Sequence, residues 1–173
     1  MKNTIFCLFF TLMLLANRVY SEDISFGIFS RNPDEVSNAV SRGSDIEARM
    51  SNGMTPLILA ASEENIDVLK VLLKNNANDK QKDSFGKTAL IYASENGFLS
   101  IVKLLASNKD ALNIKDMLER TALMYASENG FVDAVSVLIK SGAKLNSRDS
   151  SGQTALMLAA YSGHQDVVEL LIA

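Results

Sequence analysis

Residues 88–98 read TALIYASENGF and residues 121–131 read TALMYASENGF, eleven positions with a single change, Ile91 against Met124. One further step of 33 reaches TALMLAAYSGH at 154–164, and one step back from Thr88 reaches TPLILAASEEN at 55–65. The chain is a tandem array with a period of 33, and a period of that size denotes a stack of supersecondary units, each too small to bury its apolar face alone.

Aligned on its threonine, every unit predicts the same elements. The threonine N-caps a short helix, its hydroxyl accepting from an otherwise unpaired backbone N–H of the first turn. Leu57, Leu90, Leu123 and Leu156 recur on one face of that helix with Ala60, Ala93, Ala126 and Ala159, whose small side chains let neighbouring helices approach. A glycine turn follows at Gly97, Gly130 and Gly163; Glu64 fills this slot in one unit, where a less regular turn is expected. The second helix carries apolar runs such as Val68–Leu69 and Val71–Leu73, interrupted at one repeated position by Lys70, Lys103, Ser136 and Glu169, a column expected to face water. An extended segment with Asp83, Asp116 and Asp149 then leads into a hairpin-like turn, marked by Gly86 and Gly152.

Residues 22–54 lack the obvious words yet fit the frame, Ile24 aligning with Leu57 and Val36 with Leu69. They read as a degenerate first unit whose second helix starts at Asn32, with Pro33 at the first helical position and Glu35 placed for a capping-box-like contact. The expected units are therefore 22–54, 55–87, 88–120, 121–153 and 154–173, after a leader at 1–21.

The unit resembles the ankyrin repeat, with its words DxxGxTPLHxAAxxGH matched by Asp149, Gly152, Thr154, Leu156, Ala159, Ala160, Gly163 and His164. The resemblance covers about residues 22–173. It implies an all-α repeat solenoid of helix-turn-helix pairs joined by hairpin-like turns, and a binding scaffold with no chemistry of its own. Departures are local: Ile58, Ile91, Met124 and Met157 replace the family's histidine and are expected to pack as apolar residues, and Glu119 replaces a turn glycine. Terminal units meet solvent on one face. At the last unit, either a partner covers the outer side of 167–172 or ordinary termination suffices; the second is favoured, since Gln165, Asp166 and Glu169 supply polar surface.

At the other end, Lys2, the apolar run 5–16 and the polar stretch 17–21 have the three regions of a secretory signal peptide. Val19 and Ser21 place the cut after Ser21, with Ala16 the second choice. About twelve apolar residues fall short of the roughly 20 needed to span a bilayer, so no membrane contact is expected after cleavage, and the destination is periplasmic or secreted. Cleavage would remove Cys7, the single cysteine, leaving neither disulfide nor thiol chemistry. It would also shift the net charge from −3 to −5, because Lys2 and Arg18 leave with no acid. Such a balance disfavours nucleic-acid or anionic-membrane binding.

Nothing in the mature sequence assembles a catalytic set, and no cofactor or metal site is expected. His164 is the sole histidine and sits where the ankyrin resemblance itself places one. Asp83, Asp116 and Asp149 lie one unit apart, roughly a helix diameter of 10 Å, whereas carboxylates sharing a cation must lie within about 2.6 Å of it. They read as turn formers.

Function is expected on the turn tips and the exposed side of the first helices, against a protein partner, from a monomer. The candidate contact residues are Arg49 and Asn52; Lys82, Phe85 and Lys87; Lys115, Met117, Leu118 and Arg120; Arg148; and Glu95, Glu128 and Tyr161 on the helix side. Two features stand out. Arg49, Lys82, Lys115 and Arg148 form a basic column in an acidic protein, either paired with the neighbouring aspartates, each pair worth well under about 1 kcal/mol, or free to meet an acidic partner. Phe85, Met117 and Leu118 are apolar at tips, as inter-turn packing or as a partner's anchor. The two functional readings are an exported protein–protein interaction module and a protective or regulatory subunit of an exported enzyme.

Overall fold

A computed structural model describes residues 22–173, without the side chains of Glu22, Asp23 and Phe26. Residues 1–21, where a leader and its cleavage site are expected, lie outside the described residues, with Cys7. Among the described residues there are eleven helices and no strand. They are α1 (Glu22–Phe29), α2 (Pro33–Ser41), α3 (Pro56–Ser62), α4 (Ile66–Lys74), α5 (Ala89–Glu95), α6 (Leu99–Leu105), α7 (Lys109–Leu112), α8 (Ala122–Glu128), α9 (Val132–Ser141), α10 (Ala155–Tyr161) and α11 (Gln165–Ile172). The first helices α1, α3, α5, α8 and α10 pack in sequence as one layer, and the second helices lie against them as another.

The caps follow the threonines. Thr55, Thr88, Thr121 and Thr154 each accept through Oγ1 from the N–H three residues on, at 3.3 to 3.4 Å. The seam between layers is built from the repeated leucines and alanines: Leu57, Leu90 and Leu123 are buried, and Ala60, Ala93, Ala126 and Ala159 are wholly so. Ile58, Ile91 and Met124 are buried as apolar residues, while Met157, at the last unit's outer face, is 48% exposed.

Three local expectations change. Glu64 adopts the same left-handed backbone as the glycines in its column, with φ 56°, so the turn is regular and the strain falls on the residue instead. In the first unit Asn32 does cap α2, its Oδ1 accepting from Asp34 and Glu35 N–H. The Glu35 carboxylate, however, takes the Ser30 hydroxyl at 2.8 Å and does not return to the capping backbone. The unit at 88–120 does not pass straight from second helix to extended segment. Second helices elsewhere end on a left-handed residue, Gly43, Asn76 or Gly142; the aligned position is Lys109, whose side chain disfavours that conformation. Here α6 stops early at Leu105, and Asn108 caps the extra turn α7, which buries Ala111 and Leu112.

Candidate interaction surface

Each hairpin turn is closed on itself and joined to the next. The Asp83 Oδ1 accepts from the Phe85 and Lys87 N–H, Asp116 from Leu118 and Arg120, and Asp149 from Ser151 and Gln153, at 2.8 to 2.9 Å. These aspartates are the turn formers their spacing implied. Across turns, the Ser84 N–H donates to the Asn52 carbonyl, Met117 to Phe85 and Ser150 to Leu118, at 2.9 to 3.1 Å. The tips thus form a continuous hydrogen-bonded ridge along the stack.

The basic column runs beside this ridge, but not paired with the aspartates. Arg49 donates to the carbonyl of Lys82, Lys82 to that of Lys115, and Lys115 to that of Arg148, at 2.7 to 2.9 Å. Each of these three cations is one rung of a ladder whose acceptor is the backbone of the next member of its own column. Lys115 also meets Glu119 at 2.9 Å, Arg49 also reaches Gly53 O and Gln81 Oε1, and Arg148 folds onto Gly152 O within its own turn. The aspartates are engaged by backbone N–H groups and, on their second oxygen, by other side chains. The column remains positive, and Arg49, Lys82 and Arg148 remain exposed.

On the helix side the charges are mutually engaged. Lys87 Nζ meets both oxygens of Glu95 at 2.6 and 2.8 Å and lies between the rings of Tyr92 and Tyr125, 5.2 and 4.7 Å from their centroids. Arg120 holds Glu128 at 2.7 Å and Asp149 at 3.3 Å, its guanidinium 5.6 Å from the Tyr125 centroid. Both tyrosine hydroxyls donate to aspartates at 2.6 Å, Tyr92 to Asp83 and Tyr125 to Asp116. Burial, then the hydrogen bond and charge of the facing aspartate, pushes both phenols above their ordinary range. Burial alone would raise the Asp149 carboxyl; the Gln153 and Ser151 N–H groups and Arg120 outweigh it and hold the group below its ordinary value.

Glu95 and Glu128 therefore face the surface already bonded, while Tyr161, in the same column, is 89% exposed. Tyr92 and Tyr125 belong to this network and are not among the contact residues expected from the sequence. The available signal was a tyrosine four residues after the threonine in the two near-identical units, where the flanking units have Leu59 and Leu158.

Phe85, Met117 and Leu118 are 62%, 72% and 55% exposed. They are not buried between turns; the backbone bonds join the tips while these side chains stand outward. His164 is a brace: its Nε2 donates to the Glu128 carbonyl at 2.9 Å, and its ring lies against Gly130, where a Cβ would come within 2.5 Å of it.

This combination of capped helix pairs, aspartate-closed hairpins and a 33-residue register matches a family model for ankyrin repeats (3 copies) over residues 26–116 and again over 108–173. The chain is an ankyrin-repeat protein. Its repeats are of a kind that generally serves protein–protein interaction and is typically non-catalytic. No curated protein matches the sequence. Among the described residues, no helix of these ankyrin repeats is long and apolar enough to cross a membrane, and no group of three or more His, Cys, Asp or Glu is placed to hold a metal ion.

Proposed function

We propose that this ankyrin-repeat protein is an exported, monomeric interaction module that grips a protein partner with its turn ridge and first-helix face. The observation that carries the reading is the trio Phe85, Met117 and Leu118, exposed on adjacent turns whose backbones are bonded together. Exposed apolar anchors on a hydrogen-bonded backbone bury against a partner with the backbone part of the ordering cost reduced. The flanking Arg49, Lys82 and Arg148 are bonded to neutral oxygens and, among the described residues, face no carboxylate, while Lys115 is shared with Glu119; this favours a partner with carboxylates around an apolar centre. Export rests on the leader-like sequence at 1–21.

The test is affinity capture from a native extract using the mature chain and a Phe85→Ser, Met117→Ser, Leu118→Ser variant. Retained helicity with loss of the captured protein supports the reading. Equal capture by both chains contradicts it. Because Lys82 and Lys115 also brace the stack, charge reversal there is interpretable only beside a measured unfolding midpoint.

A further inference from the structure

Three asparagines in this chain precede glycine, Asn52, Asn96 and Asn129, and they are held differently. Asn96 and Asn129 cap the C-termini of α5 and α8. Their side-chain amides turn away from the following glycine: Asn96 Nδ2 donates back to the Tyr92 carbonyl and Asn129 Nδ2 to the Glu95 carbonyl of the preceding unit, both at 2.9 Å. All three glycines are closely packed, Gly97 against the Phe131 ring, Gly130 against the His164 ring and Gly53 against Ser84 of the next turn, so the difference lies in the asparagine side chains.

Asn52 is the opposite case, because its turn is the one whose aspartate is missing. Met50 stands in the column of Asp83, Asp116 and Asp149, so the N–H bonded by aspartate in the other turns is here taken by Asn52 itself, Oδ1 accepting from Met54 N–H at 3.1 Å. That bond turns the side chain forward along the chain, over the Asn52–Gly53 peptide and toward Met54. It also polarises the amide carbonyl of a residue that is exposed at the tip.

We propose that Asn52 is a spontaneous modification site, converting to isoaspartate in the folded protein ahead of Asn96 and Asn129. Base removes the Gly53 amide proton as that N–H leaves the Met50 carbonyl, which it reaches at 2.8 Å. The nitrogen attacks Asn52 Cγ, the N–Cγ bond forms, the Cγ–Nδ2 bond breaks and ammonia departs, giving a cyclic imide. Water then opens the ring. Attack at the original backbone carbonyl breaks its bond to Gly53 nitrogen, leaving a free carboxylate and a chain that runs on through Cγ; attack at Cγ gives ordinary aspartate. No oxidant or reductant takes part.

The consequence reaches the tip ridge. The carbonyl that accepts the Ser84 N–H becomes part of a carboxylate outside the main chain, the Arg49 bond to Gly53 O loses its geometry, and a negative charge appears beside the first rung of the basic ladder.

The test is peptide mapping by mass spectrometry of the full chain, folded and in denaturant, aged at mildly alkaline pH, with isoaspartyl residues labelled enzymatically. In the folded protein the peptide holding residues 50–54 gains the amide-to-carboxyl mass change and the isoaspartyl label first, while the peptides with Asn96 and Asn129 lag. In denaturant the three sites converge, and Asn52→Gln abolishes the early label in the folded chain. Modification of Asn96 or Asn129 as fast as Asn52 in the folded state, or an intact Asn52 there while the denatured chain converts, overturns the proposal.

Discussion

Ser94 and Ser127 carry the only buried side-chain hydroxyls among the described residues without a hydrogen-bond partner; the same position holds Ala61 and Ala160 in the neighbouring units. An unpaired buried polar group costs roughly 1–3 kcal/mol. Ser127→Ala is expected to raise stability by about 1 kcal/mol, measured by denaturant unfolding; an unchanged or lower midpoint would count against the assignment. Glu119 sits at φ 60° where Gly86 and Gly152 stand in other turns. Glu119→Gly relieves a left-handed strain of about 1–2 kcal/mol and loses only an exposed bond to Lys115, so a net gain is expected in the same assay. Asp149 sets an acid limit. Its carboxyl is depressed in the fold, so its contribution is complete above the unfolded value of about 3.9 and is lost as pH falls through the folded value. Asp149→Asn keeps an acceptor for the turn and should flatten that part of the pH–stability curve. Tyr92 and Tyr125 have the opposite sign: their phenols are raised, so they support the fold until pH climbs through the raised values.

At the scale of elements, the threonine caps and the glycine turns were legible because they depend on residues close in sequence. The shortened α6 has a correlate in the sequence, the lysine at 109 where Gly43, Asn76 and Gly142 stand in the other units, although Glu64 and Glu119 show that a charged residue can take the left-handed conformation elsewhere in the stack. Contacts between units were not legible in the same way. The basic column repeats in the sequence, but nothing there says that each side chain reaches a carbonyl one unit on; this requires the stacking offset between turns. The same applies to Lys87 between Tyr92 and Tyr125, which belong to successive units. Gly130 tests how the turns interlock. At φ +74°, and with the His164 ring 2.5 Å from where a Cβ would stand, Gly130→Ala should destabilise by about 2 kcal/mol or more. The loss should shrink in a His164→Ala background if the ring contact matters. Equal losses in both backgrounds would leave only the backbone conformation as the cause.

Among the described residues the helices pack mainly against those of adjacent units, and the ridge and the helix-side network run along the stack through several units, Lys87 reaching the Tyr125 ring two units on. Function on such a scaffold lies where units differ. The near-identical words at 88–98 and 121–131 build the same cap, seam and turn twice, whereas the tips upstream of them diverge, Ser84–Phe85 against Met117–Leu118. The sequence marked these tips as candidates; their exposure rules out burial between turns and leaves the side chains standing outward. The direct measurement is photo-crosslinking in native extract, with a photoreactive residue placed at Met117 on the ridge or at exposed Lys103 on α6, outside the ridge. The account predicts a discrete cross-linked protein from position 117 and none from 103. Cross-linking from 103 alone would place the binding surface elsewhere and contradict it.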